Sequence, residues 1–333
     1  MSACLQRRAR IASLAVPPTE TTAIEARLEQ HRIELSGYCY RMLGSSTDAE
    51  DAVQETLTRA WRAHDRFEER SSLRTWLFRI ATNVCFDSLD AGKRRARPMD
   101  ISGPWAPDGH VPDPLLEFAW LEPVPDTSVL PDRRDPGDVI VARESIRLAF
   151  VAALQHLPSR QRAVLILREV LAWSAQDVAD LLDTSVPAVN SALQRARATL
   201  DGVDFAATEP WLPDDAEQRA LLARYVDAFE RYDMDALTAL VHEDATQSMP
   251  PYELWLRGRD DILAWWAGPG MACAGSRLVP TVANGSPAFG QYRTTGPWAL
   301  QVLEIEDGRI VELSFFLDTA TLFPRFGLPT TLH

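Results

Sequence analysis

Over residues 24–95 and 139–201 apolar positions recur every three to four residues, which predicts two helical blocks. Ala49, Val53, Leu57 and Trp61 follow at four-residue spacing and draw one stripe along a helix over 48–61. Ser72–Leu89 repeats the pattern with Leu73, Trp76, Leu77, Ile80, Val84 and Leu89. Ser46 or Thr47 can cap the first helix and Ser71 or Ser72 the second, because a hydroxyl accepts from the free N–H groups of a first turn. Val139–Leu157, closed by Pro158, and Gln161–Leu171 read as further helices. Two short helices then flank Asp183-Thr184-Ser185. Val178, Leu181 and Leu182 face inward from the first, and Val189, Leu193, Ala196 and Leu200 from the second. That is helix-turn-helix spacing.

From residue 214 the pattern changes. Asp214 or Asp215 caps a helix carrying Leu221, Leu222, Tyr225, Val226 and Phe229, and a shorter helix follows over Ala236–Val241. Strand signals then dominate. Asn284-Gly285 and Asp307-Gly308 are strong hairpin markers, because both central residues of such turns need positive φ. They join Leu278–Ala283 to Ala288–Arg293, and Trp298–Glu306 to Arg309–Asp318. Helices followed by antiparallel strands predict an α+β cone. Between the helical blocks, residues 98–136 hold at least eight prolines among scattered Asp and Gly, which argues against a packed helix. Within that stretch Phe118-Ala119-Trp120-Leu121-Glu122-Pro123 is too apolar for a spacer and is expected to dock.

The net charge of −13 argues against a nucleic-acid partner until it is divided along the chain. Residues 1–97 carry 16 basic and 13 acidic side chains, and residues 139–202 carry 7 and 6. Residues 98–138 carry 2 against 9, and residues 203–333 carry 9 against 19. The acidity therefore belongs to the linker and the C-terminal part. No apolar run approaches the roughly 18–20 residues of a membrane-spanning helix. Ile11–Val16 behind Arg7-Arg8-Ala9-Arg10 is too short for an export signal and is closed by Pro17-Pro18. Cys4, Cys39, Cys85 and Cys273 lie far apart in sequence, without zinc or disulfide spacing, so the chain reads as cytoplasmic.

The outer face of the second short helix offers Asn190, Ser191, Gln194, Arg195 and Arg197. Amide, hydroxyl and guanidinium groups of this kind reach base edges or phosphates in a major groove. Opposite the apolar stripe of the 48–61 helix, Asp48, Asp51 and Glu55 form a polar face suited to a basic partner.

On these residues the chain resembles the extracytoplasmic-function sigma factors of the sigma-70 family. The resemblance is carried by Asp48–Trp61 (DAEDAVQETLTRAW), Ser72–Asp87 (SLRTWLFRIATNVCFD) and the segment from Leu157 to Leu200. It implies two all-α sigma domains: region 2 at 25–97 and a helix-turn-helix region 4 at 139–202, separated by a Pro-rich acidic linker at 98–138. It further implies that Asp48, Asp51, Gln54 and Glu55 face the clamp helices of the largest subunit of core RNA polymerase. Arg74, Trp76, Arg79 and Asn83 would meet the −10 element of promoter DNA. The helix 186–200 would read the −35 element, and Leu157–Glu169 would pack on the flap of the second-largest subunit. Many members carry a basic residue where this chain has Asn190 and Ala192, which implies fewer phosphate contacts.

Residues 212–333 resemble a SnoaL-like domain. With Trp120-Leu121-Glu122-Pro123 in the linker and Asn284-Gly285-Ser286-Pro287-Ala288-Phe289 in the cone, the chain looks like the actinobacterial SigG-type group, in which the extra domain acts as a built-in regulator. The apolar tail Phe323–Leu328 and the linker stretch Phe118–Leu121 are its expected contact surfaces. Neither a cofactor nor a metal is implied, and no membrane partner. Enzymes exist on the same cone, and His242, Asp244, Tyr292 and Asp318 are the residues a proton-transfer reaction would draw on. Trp255, Trp265, Trp266 and Trp298 are assigned to the core before a ligand cage. The alternative function is a small-molecule sensor or enzyme on the cone, with the helices as a DNA-targeting module.

Overall fold

A computed structural model describes residues 20–67, 71–91, 95–107, 111, 113–115, 120–131, 136–201 and 210–332. The export-signal expectation and Phe118 and Ala119 of the linker lie outside the described residues.

The first block is built on helices Arg32–Leu43, Ser46–Ala63 and Leu73–Ala91, with Leu35, Tyr38, Val53, Leu77, Phe78 and Ala81 in its core. Ser45, one residue before the expected caps, closes the middle helix by accepting from the Asp48 N–H at 3.0 Å. Ser72 accepts from the Thr75 N–H at the start of the third helix. Cys39 and Cys85, distant in sequence, are buried neighbours here and remain free thiols.

The helix expected over Val139–Leu157 is broken. It runs as Pro136–Glu144 and Leu148–Leu154. The carbonyls in the break are taken by other partners: the Arg41 Nε donates to the Ser145 carbonyl at 3.0 Å, and the Asn284 Nδ2 to the Ile146 carbonyl at 2.7 Å. Helix Ser159–Leu165 then passes through a wider turn at Ile166–Val170 before the helix-turn-helix pair Ala175–Leu181 and Val186–Leu200.

Helices Ala216–Arg231 (capped by Asp215) and Met234–Leu240 precede a six-stranded sheet. Its strands are β1 (Val241–Ser248), β2 (Trp255–Arg257), β3 (Arg277–Ala283), β4 (Ser286–Arg293), β5 (Gly296–Glu306) and β6 (Arg309–Phe316), in the order β2-β1-β6-β5-β4-β3. Both expected hairpins form, with Asn284 and Asp307 at positive φ. The sheet is antiparallel except where β1 runs parallel to β6.

Both faces of this sheet are apolar, which a sheet needing only one cover does not require. Phe289, Ala299, Leu303 and Leu313 join the cone's own core with Tyr225, Phe229, Trp265 and Trp266. Ala288, Leu300, Val302 and Phe316 belong instead to the core continuous with the two helical blocks. Leu322, Phe323 and Leu328 of the C-terminal tail join that second core, as the tail's apolar character required. In the linker, Leu121 and Val124 are buried in the same place.

Candidate nucleic-acid and polymerase interface

The helix Val186–Leu200 is set by local chemistry. Asp183 supplies the left-handed residue of the turn (φ 49°), and the Ser185 hydroxyl caps the first turn. Val189, Leu193, Ala196 and Leu200 are buried, which turns Asn190, Ser191, Gln194, Arg195 and Arg197 outward. The two arginines divide. Arg197 donates to Glu169 at 2.7 Å, back toward its own domain, whereas the exposed Arg195 guanidinium has no partner among the described residues. Ala192 is 9% exposed, on the inner side of the helix.

On the third helix of the first block, Arg74 and Arg79 reach the second helical block, whereas Trp76 turns to Phe67 of its own block. Trp76 stacks on Phe67 with ring centres 4.9 Å apart. Arg74 forms a two-pronged pair with Glu34, and its guanidinium lies 4.5 Å from the Trp173 ring centre. The Arg79 Nη2 donates to the Asp180 carbonyl at 2.7 Å. Asn83, farther along, is exposed. Trp173 and Asp180 belong to the second helical block, so the surface expected to meet the −10 element is partly covered by the unit expected to read the −35 element.

The acidic face is less uniform than the sequence suggested. Asp51 and Gln54 are exposed. Glu55 pairs with Arg59 at 2.6 Å, and Asp48 is half-buried against Arg95 at 2.5 Å. The start of this helix is gripped twice from elsewhere in the chain. The linker carboxylate of Glu122 accepts from the Ser45 and Ser46 hydroxyls and from the Thr47 N–H. From the C-terminal tail, Arg325 donates to Ser46 and pairs with Glu50 at 3.1 Å.

Asn284, a turn residue and part of the stretch that carries the family resemblance, joins four segments. Its Oδ1 accepts from the Val124 N–H at 2.9 Å, and its Nδ2 donates to the Ile146 carbonyl and the Tyr40 hydroxyl, each at 2.7 Å. Its own N–H donates to the Val124 carbonyl. The neighbouring Gly285 N–H donates to Asp126, and a Cβ on Gly285 would lie 2.9 Å from the Arg143 carbonyl. A second buried tie is Arg147, which donates to Glu304 on β5 at 2.5 Å. The sequence offered Asn284-Gly285 and Trp120-Leu121-Glu122-Pro123 as separate marks of the resemblance, without their contact; Arg147–Glu304 left no signal.

In the cone, the four acid–base candidates do not converge. The His242 Nδ1 accepts from the Asp244 N–H at the exposed start of β1, Asp318 caps helix Thr319–Arg325, and the Tyr292 hydroxyl donates to the Pro329 carbonyl. Trp255 is core, while Trp265, Trp266 and Trp298 line a cavity of about 210 Å3 as well as the core around it. None of the four candidates lines it.

Two helical units carrying an exposed recognition helix, joined to a cone, define a transcription-initiation factor of the sigma-70 class. Family models agree: Sigma-70 region 2 matches residues 28–95, Sigma-70 region 4 matches 147–200, and the SnoaL-like domain matches 222–313. The chain is 49% identical over 315 residues to the ECF RNA polymerase sigma factor SigG of Mycobacterium tuberculosis, covering 92% of this chain and 84% of that protein. It is 28% identical over 315 residues to SigJ of the same organism, covering 88% and 90%. The crystal structure of SigJ superposes with a TM-score of 0.56 at 22% identity, covering 93% of this chain and all of that one, which supports the fold. The chain belongs to the extracytoplasmic-function RNA polymerase sigma factors. Among the described residues no helix is long and apolar enough to cross a membrane.

Proposed function

We propose that this sigma factor works in the cytoplasm with its C-terminal cone as a built-in regulator. Residues 25–97 dock on the clamp helices through Asp48, Asp51, Gln54 and Glu55, and capture the −10 element through Arg74, Trp76, Arg79 and Asn83. Stacking and guanidinium groups suit unpaired bases once Trp173 and Asp180 of the second unit withdraw from Arg74 and Arg79. Residues 139–202 read the −35 element with Asn190, Ser191, Gln194 and Arg195, Arg197 serving at its edge, and pack on the flap. The linker at 98–138 and the cone at 212–333 set how the two units are disposed.

One observation carries the regulatory part of this reading. The side chain of Asn284, in the cone, bonds the first helical block at Tyr40, the linker at Val124 and the second block at Ile146. A single residue of the cone thus ties both promoter-binding units in an arrangement where Arg74 and Arg79 contact the second unit.

The test uses purified core polymerase. Reversing Asp51 and Glu55 to Arg lowers core affinity and promoter-dependent transcription while circular dichroism stays normal. Unchanged core affinity in a folded variant refutes the docking assignment. Removing residues 206–333 changes core binding or transcription, and equality with the intact chain at every salt concentration refutes the regulator assignment.

A further inference from the structure

The cone's cavity of about 210 Å3 lies between the end of helix Ala216–Arg231, helix Arg259–Ala267 and the sheet. It exceeds the roughly 150 Å3 cavity that takes up benzene, so it has room for an aromatic ring with a substituent. Phe229, Trp265, Trp266, Trp298 and Phe315 supply ring surfaces. Such walls, with few and convergent polar groups, are the usual make-up of a small-molecule site.

The polar groups are of one kind. Arg293 lines the cavity, with its guanidinium 3.2 Å from the Trp298 ring centre and its Nη2 donating to the Cys273 sulfur. Its Nε is buried with no hydrogen-bond partner among the described residues. Gln247, buried to 1% exposure, accepts from the Trp266 indole through Oε1, which leaves its amide N–H groups as donors. The Tyr232 hydroxyl is turned away, donating to the Trp266 and Gly270 carbonyls. Among the described residues no aspartate or glutamate lines the cavity. A cation and an amide donor on otherwise apolar walls select an anion. A carboxylate accepting from a guanidinium also makes the stronger, charge-assisted bond.

The linker crosses the same place. Val111 lines the cavity, the Trp105 N–H donates to the Trp255 carbonyl at 2.7 Å, and the Trp255 indole donates to the Ser102 carbonyl at 2.9 Å. Farther on, the Leu115 N–H donates to the Pro251 carbonyl. We propose that the cone binds a small planar aromatic carboxylate, its acid on Arg293 and its ring among Trp265, Trp266 and Trp298, with Val111 of the linker on its wall. The binding step rests on the cavity and not on the regulator assignment, so its test needs no polymerase.

The full chain is titrated calorimetrically with benzoate and with the neutral benzamide. We expect one benzoate per chain and an amide about tenfold weaker, a difference of roughly 1.4 kcal/mol. Arg293→Gln loses that preference: benzoate weakens to the amide's level, and the amide binds as before, which shows that the variant folds. Benzoate also slows hydrogen exchange in the peptide containing Trp105. Absence of saturable benzoate binding at millimolar concentration overturns the site, and so does equal affinity of acid and amide for the wild-type chain. A preference that survives Arg293→Gln overturns the assignment of Arg293. Unchanged exchange at Trp105 overturns the linker's part in the site. If Arg293→Gln binds neither probe, the acid-against-amide comparison in the wild-type chain decides alone.

Discussion

Replacing Asn284 by Gly tests the junction with the least disturbance, because glycine accepts the residue's positive φ of 56° without strain. Three side-chain hydrogen bonds disappear, those to Val124, Ile146 and Tyr40. Tyr40 keeps its bond to the Glu122 carbonyl at 2.8 Å, so the cost falls on the Val124 N–H and the Ile146 carbonyl. A buried group left unpaired costs about 1–3 kcal/mol, and a water entering the vacated space recovers part of it, for a net of about 2–4 kcal/mol. At about 2 kcal/mol the junction opens roughly 30-fold more often. Hydrogen exchange reads this directly in peptides spanning Tyr40–Gly44, Leu121–Val129 and Ser145–Leu148. Exchange around Tyr225, inside the cone's own core, stays slow. Asn284→Ala adds about 1–2 kcal/mol, because an alanine Cβ is disfavoured in the left-handed region. Wild-type exchange at the junction in the glycine variant, or an alanine variant no worse than glycine, refutes the reasoning.

Two further outcomes follow from side-chain geometry. Arg195→Ala lowers −35-dependent initiation by about 1–3 kcal/mol if it removes a base contact, whereas Arg197→Ala breaks an exposed pair with Glu169 worth about 0–1 kcal/mol. Equal loss of activity for the two refutes the division of roles. Glu304 is held above the usual carboxylate range by burial, with Glu312 adding to the rise and Arg147 and Ser286 opposing it. A raised folded-state value means the folded chain keeps a proton that the unfolded chain gives up. Ionisation of Glu304 therefore costs stability as pH rises from roughly 4.3 through the raised value, and the cost vanishes below it. Thermal unfolding should accordingly show the wild-type chain gaining on Glu304→Gln as pH falls through that window, and a relative loss refutes the sign.

Local structure was legible wherever one residue or one period decides it. The stripe at Ala49, Val53 and Leu57, the Asn284-Gly285 and Asp307-Gly308 turns and the inner faces of the helix-turn-helix follow from spacing alone. The break after Glu144 was not legible, because it depends on Arg41 and Asn284 claiming carbonyls from 104 and 138 residues away. The acidic face was half legible. Opposition to the apolar stripe shows which side Asp48 occupies, but not that Arg95 lies beside it. Nor can a linear pattern show Glu122 capping a helix that begins 76 residues earlier. The unbroken burial of β4 from Ser286 to Tyr292 was not legible, because Ser286, Gly290 and Gln291 interrupt the apolar residues there.

The described arrangement and promoter reading make opposing demands on the same contacts. A −10 and a −35 element lie about 25 base pairs apart by name, about 85 Å along straight duplex at 3.4 Å per pair. Here the two helical blocks share one core instead. Buried Arg162 donates to the Met42 carbonyl and to Gln155, Gln155 donates to the Arg41 carbonyl, and Arg41 donates to Ser145. Separating the blocks strips partners from buried guanidinium groups, which is costly unless water or a new protein surface replaces them. Core polymerase must supply that replacement. Moving a population from 1:99 to 99:1 needs about 5.5 kcal/mol of differential affinity, and every bond the cone adds to the closed side raises the demand. Asn284 and Arg147 add theirs without touching either DNA-reading face. On the function proposed above, the cone sets the threshold for engagement and leaves promoter choice to Arg195 and its neighbours.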